Sequence, residues 1–188
     1  SDGATTIRVG QDLDGNGAQI TENITLSGGT AALVATVSDA VEKITATGSQ
    51  NVTVKADGAV VSTEELIDSS TATTTLDLTN IGADADLSKA AFDVIQITDA
   101  ALGGGRELSL ADGATVDLGV DLSHAVDLNL DDDDTTTTTT TGTVNVTASK
   151  DITTAGITVD TTGDAFSAVS FTPTVAQTGF ILNAGNTI

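Results

Sequence analysis

"FDVIQITDAALGGGRELSLADGATVDLGVDL", residues 92–122, decides the fold. Ile95 and Ile97 alternate with polar neighbours, and so do Leu108 and Leu110, and Val116 and Leu118. A period of two is the mark of a half-buried strand, because successive side chains leave opposite faces. The strands are short and end in glycine or aspartate, and Asp112-Gly113 is a turn signal, since glycine tolerates positive φ. Ile95/Ile97 and Val116/Leu118 are separated by about 20 residues, as expected for successive coils of a solenoid whose rungs stack.

The pattern extends both ways. Leu76/Leu78 precede Ile95/Ile97 by a similar step, and Val144/Val146 continue the series. A second series runs Leu108/Leu110, Leu128/Leu130, Ile157/Val159. In both series the last step is longer by about eight or nine residues, and the excess falls on "DDDDTTTTTTTG", residues 131–142. The spacing predicts an insertion between rungs, or a Thr-lined edge extending one coil, rather than a domain boundary. Further strands are read at 5–10, 20–29, 31–46, 51–61, 73–81, 143–149 and 180–188. Two stretches read as helical: "STEELI" from Ser62, with Glu65 completing a capping-box pattern, and "LSKAAFD", 87–93. "AVEKI" (40–44), "AFDVI" (91–95) and "AVDLNL" (125–130) echo one another, as do "NVTVKAD" (51–57) and "NVTASKD" (145–151).

Composition agrees with an all-β chain. Four Phe are the only aromatics among 188 residues, and Trp, Tyr, Met and Cys are absent. The core is therefore thin layers of Val, Ile, Leu and Ala, with abundant β-branched Thr suited to a pleated surface. Without Cys there is no disulfide or thiolate chemistry, and the missing Cys, Met, Trp and Tyr together fit an exported protein. These residues carry no signal-peptide pattern and no apolar run long enough for a bilayer.

Twenty-seven acids against six bases give a net charge of −21. That argues against nucleic acid, whose phosphates need clustered Lys and Arg, and against anionic membrane surfaces. It favours Ca²⁺, which takes oxygen ligands; equally, the charge keeps a sheet-rich chain soluble. "DLDGNGAQITEN", 12–23, opens like an EF-hand loop: Asp12, Asp14 and Asn16 offer alternate oxygens, Gly17 the turn and Ala18 a carbonyl. It then departs. Gln19 replaces the apolar eighth residue, the acid Glu22 falls at position eleven, and the flanks read as strands. The expectation is a calcium loop of similar geometry between strands, using Asp12, Asp14, Asn16, Ala18 and Glu22, against a plain polar hairpin loop.

Asp131 to Asp134 are too extended for more than two to share one ion. A carboxylate pair of a polysaccharide-cutting β-helix is a weaker reading, since sugar platforms want aromatic rings. The lone His124 and the scattered Arg8, Lys43, Lys55, Lys89, Arg106 and Lys150 define neither a triad nor a phosphate clamp. Asn23, Asn51 and Asn145 head formal glycosylation sequons.

"AVEKITATGSQNVTVKADG", 40–58, resembles the solenoid portions of bacterial surface-layer proteins and of large secreted proteins associated with RTX repeats, which are likewise acidic, Thr-rich and Cys-free. The resemblance spans about 36–160. It implies export without membrane insertion, Ca²⁺-dependent ordering and lattice assembly. The Gly-x-Gly-x-Asp nonapeptide of RTX rolls is missing: "GGGRELSLADG", 103–113, has the glycines but not their order, so repeat-bound Ca²⁺ is not implied for this segment.

The expectation is an all-β, irregular parallel β-solenoid, with a β-sandwich or jelly-roll-like fold as the alternative. Residues 1–188 form one β-rich domain or part of a longer surface protein. Within it, 1–35 is a β-hairpin region holding the calcium loop, 36–160 the rungs and 161–188 terminal strands. The expected function is a non-enzymatic, extracellular structural protein that self-assembles into a surface layer, with Ca²⁺ bridging acidic faces. Its partners are further copies of itself and cell-surface polysaccharide. A filament subunit, adhesin module or virion decoration protein is the alternative, and a carbohydrate-active β-helix a weaker one.

Overall fold

The computed structural model describes residues 8–9, 23–37, 42–98, 106–119, 128–132, 143–152, 156–159, 168–179 and 181–184. Its strands alternate between two sides of a coil. On one side lie β1 (Arg8–Val9), β3 (Leu33–Val37), β5 (Val52–Asp57), β7 (Thr74–Asn80), β9 (Val94–Ile97), β11 (Thr115–Leu118), β13 (Thr143–Ala148) and β15 (Ala168–Phe171). They form a single eight-stranded sheet in that order, every pairing parallel. Opposite it, β2 (Asn23–Gly28), β4 (Lys43–Gly48) and β6 (Glu65–Ser70) form a three-stranded sheet. β8 (Ala85–Leu87), β10 (Arg106–Leu110), β12 (Leu128–Asp132), β14 (Gly156–Val159) and β16 (Ile181–Ala184) form a five-stranded one. This is a parallel β-solenoid.

The core is a set of aliphatic rows running up the axis. Val54, Leu76, Ile95, Val116 and Val146 stack in register, and beside them Ala56, Leu78, Ile97, Leu118 and Ala148. All ten side chains are buried. The opposite wall contributes Ile44 on Leu66, and Ala85 on Leu108. Phe92, the one buried aromatic among the described residues, sits at a corner, and Phe171 packs partly buried against the core one rung above Val146.

The predicted register is right for three rungs: Leu76 pairs with Ile95 and Ile95 with Val116, and likewise Leu78, Ile97 and Leu118. The next rung is shifted by two. Val116 and Leu118 pair with Val146 and Ala148, not with Val144 and Val146. In the second series Leu108 pairs with Leu130, and Leu110 with Asp132. Partners a rung apart are 19 residues apart from Thr74 to Asp93 and 21 from Gln96 to Asp117. Across the Asp-Thr run the step from Asp117 to Thr147 is 30.

Three local expectations are corrected. "STEELI" is the strand β6, preceded by a single helical turn, α1 (Gly58–Val61), whose N-cap Asp57 accepts the Ala59 N–H at 2.9 Å. The capping box loses because Glu65 pairs with Lys43 across the ladder, and Leu66 is wanted in the core row. "LSKAAFD" is a turn followed by one bridge residue, Ala90, opposite Leu66. The run 31–46 divides into β3 and β4 on opposite walls. Parallel pairing also reaches β2 before residue 36 and β16 after residue 160.

The opposite wall changes partway up. β6 still fills a full side of its coil, but in the next coil that side shrinks to Ala90. One coil further, Leu110 reaches Thr115 through a turn closed by the Ala114 N–H on the Ala111 carbonyl at 3.1 Å. Meanwhile β8 starts a new side above α1, held by Thr63 N–H to Asp86 O at 2.7 Å and Asp86 N–H to Ser62 Oγ at 3.0 Å. The three-stranded sheet thus ends in a staircase beside the unbroken eight-stranded one.

Candidate functional site

Two arrangements of polar groups stand out. The first is on the outer face of the eight-stranded sheet. Arg8, Thr36, Lys55, Asp77, Gln96, Asp117 and Thr147 share one register row. An outward acid in a strand normally meets water, yet Asp77 is 2% exposed and Asp117 8%. Their neighbours in the row and the residues beside it cover them. Lys55 Nζ lies 2.7 Å from Asp77 Oδ2, and Thr98 Oγ1 donates to Asp77 Oδ1. Asp117 accepts from Gln96 Nε2 at 2.8 Å, Thr147 Oγ1 at 3.0 Å and Ser149 Oγ at 2.9 Å. A buried carboxylate persists only when so bonded. Each acid joins three rungs, so the row fixes register.

The second lies on the staircase. Asp68 stands in register with Ala46 in β4, at the inner row where the three-stranded sheet stops. Its Oδ2 is 2.9 Å from Thr74 Oγ1, while Asp93 Oδ2 accepts the Thr74 N–H at 2.9 Å and lies 3.3 Å from the same hydroxyl. Thr74 is fully buried, and its oxygen accepts the Asp93 N–H at 3.0 Å. One hydroxyl proton therefore faces two carboxylates beside an open cavity of about 410 Å³. A larger hollow of about 520 Å³ lies one step up, above Ala90 and Phe92 and beside Ala111 and Ala114.

At the lower corner Glu64 is held above the usual carboxylate range, first by burial and then by Glu42, with Lys89 opposing. Glu65 lies below that range because Lys43 bonds it, at 2.9 Å, and attracts its charge.

The predicted calcium loop, Asp12, Asp14, Asn16, Ala18 and Glu22, lies outside the described residues, as does His124. Of the Asp-Thr run, Asp131 and Asp132 are the last two residues of β12, paired with Ser109 and Leu110. The run therefore begins inside the ladder. Asp133 to Gly142 lie outside the described residues, and the chain re-enters at Thr143. There the Asp112 carboxylate takes the Thr143 N–H at 2.8 Å and the Gly113 N–H bonds the Thr143 carbonyl at 2.7 Å. Among the described residues no three His, Cys, Asp or Glu side chains converge as a metal group.

Reading the sequence alone missed Asp77 and Asp117, although each sits between apolar strand residues as Leu-Asp-Leu or Val-Asp-Leu. The alternation marked them as outward and exposed; their burial depends on which residues flank them in the next rungs. Asp68 was missed because it directly follows "STEELI", 62–67, which read as helical. Compared with family models, curated proteins and solved structures, the chain matches none. The class is set by the fold alone: a parallel β-solenoid.

Proposed function

We propose that this chain is an extracellular structural module that assembles into a surface layer, with Ca²⁺ drawing its acidic faces together. The observation that supports this reading most is the unbroken eight-stranded parallel sheet, a wall whose rungs hold one another by backbone bonds and a shared core. Such an object is a spacer by construction, since each coil needs only its neighbours. The charge of −21 supplies the control: like-charged faces repel until divalent cations neutralise them. Electron micrographs of the purified protein with Ca²⁺ are expected to show ordered sheets that disperse on chelation. Arrays that survive excess chelator unchanged would remove the calcium mechanism.

A further inference from the structure

The three-stranded sheet stops in the middle of the molecule, and the stop has a defined chemistry. Leu66 donates its N–H to the Lys89 carbonyl at 3.3 Å and accepts the Ala91 N–H at 2.8 Å. In a strand these groups alternate sides from residue to residue. The Ala91 N–H points down at Leu66, so the Ala90 carbonyl, anti to it across the same trans peptide, faces up the axis, and an extended Ala91 would turn the Phe92 N–H the same way. In the rest of the solenoid the next coil takes such groups. Here it has cut the corner through Ala111–Ala114, and no backbone group of the described residues bonds either one. The space above is the hollow of about 520 Å³.

We infer that this ledge binds an extended, basic peptide segment of a partner protein by parallel strand addition. The docked residue lies beside Ala91, donating its N–H to the Ala90 carbonyl and accepting the Phe92 N–H, as Leu66 does on the side below. Side-chain alternation then sets the sequence preference. Ala90 and Phe92 are buried and Ala91 and Asp93 exposed. The docked residues over Ala90 and Phe92 point inward toward Ala111 and Ala114, which favours apolar side chains there. Those beside Ala91 and Asp93 point outward and meet charge. Lys89 also lines the hollow, but its ammonium group bonds the Thr63 carbonyl at 3.3 Å, and the exposed Asp93 and Asp112 outnumber it. They call for Lys or Arg in the partner. A second copy is the poorer occupant, because this chain holds six basic residues against 27 acidic ones.

The probe is a fluorescein-labelled hexapeptide, TAKVKT, titrated with the full chain at low salt and read by anisotropy. Hydrogen exchange at the Phe92 amide is followed in parallel. Saturable binding is expected, with slowed exchange at Phe92. Methylating the backbone nitrogen of the first Lys, which stands beside Ala91, is expected to weaken binding at least about fivefold, since it removes one strand bond. The Glu-for-Lys peptide TAEVET is expected to bind more weakly still. Ala91→Lys, an exposed change that places a like charge beside the docked residue, is expected to weaken TAKVKT several-fold. Equal binding of the N-methylated peptide would reduce the contact to charge attraction and overturn strand addition. Binding without protection of Phe92, equal binding of TAEVET, or no binding of TAKVKT would each overturn the assignment.

Discussion

At single residues the coil is tightest at its corners, where two backbone conformations carry opposite consequences. Gly48 has φ +103°, and a Cβ there would collide with the Gly28 carbonyl one rung below. Both strain and overlap act, so Gly48→Ala is expected to cost at least about 2 kcal/mol in a urea melt. Thr63 has φ +69° and is β-branched, a left-handed conformation that such residues resist. It is exposed, and the bonds it makes are from its own backbone N–H and carbonyl. Thr63→Asn keeps them and suits the geometry, so the same melt is expected to show a gain of about 0.5–1 kcal/mol. Glu64 gives a pH signature. Its pKa in the folded state is raised, by burial and then by Glu42. The unfolded chain therefore loses this proton first as pH rises, and the folded state carries a penalty that is complete at neutral pH and absent in strong acid. The group is largely solvated, so screening keeps the penalty to a few tenths of a kcal/mol, about what exposed pairs are worth. Glu64→Gln is expected to raise the urea midpoint slightly at about pH 7 and not at about pH 3; the reverse order would refute the sign.

At the level of elements, the sequence carried the fold further than it carried the register. Alternation in "LDL", "VIQI" and "VDL" put Leu76, Ile95 and Val116 on one row, where they are. It put Val144 beside Val116, where Val146 stands. A slip of one residue would turn every apolar side chain outward, but a slip of two leaves the alternation intact. "TVNVTA" offers Val144, Val146 and Ala148 equally well, so apolar pattern alone could not choose. Polar bonds choose: Asp112 to Thr143 at one end, and Asp117 to Thr147 in the outer row. The echo of "NVTVKAD" in "NVTASKD" misleads by the same two residues, since Val54 shares a row with Val146 through Leu76, Ile95 and Val116. Asp68 and Asp93 were illegible for another reason: they meet on Thr74 only because the coil shortens there. The clamp at Thr143 also makes a claim about the Asp-Thr run. β10 reaches β11 through four residues, Ala111–Ala114. Deleting Thr136 to Thr141 leaves four between β12 and β13, namely Asp133, Asp134, Thr135 and Gly142. Loop-closure entropy changes little over such lengths, so the deletion is expected to shift stability by less than about 1 kcal/mol. A calorimetric scan showing a loss of several kcal/mol would mean that the run itself contributes to the ladder.

Over the whole molecule, folding stacks like strands while charge pushes them apart. With 27 acids on 188 residues and few ion pairs among the described residues, Lys43–Glu65 and Lys55–Asp77, most of the negative charge has no partner cation in the chain. The two pairs differ in weight: Lys43–Glu65 is exposed on both sides and contributes little, whereas Asp77 is buried and needs Lys55. Self-repulsion of this size acts against the compact state and is screened by salt, since the Debye length falls from about 30 Å at 0.01 M to about 3 Å at 1 M. The thermal midpoint is therefore expected to climb as NaCl is raised across that range. Calcium makes a separate contribution only if ions are held at sites rather than in the diffuse atmosphere. Site binding stabilises by mass action, so the midpoint would keep rising with free Ca²⁺ at constant ionic strength. The measurement is a pair of titrations matched in ionic strength, CaCl₂ against MgCl₂, because Mg²⁺ carries the same charge but sheds water reluctantly and demands tighter geometry. A higher midpoint in Ca²⁺ is expected if calcium orders this protein. Coincident curves would leave screening as the whole effect, and the surface-layer proposal would lose its ionic control while keeping its rod.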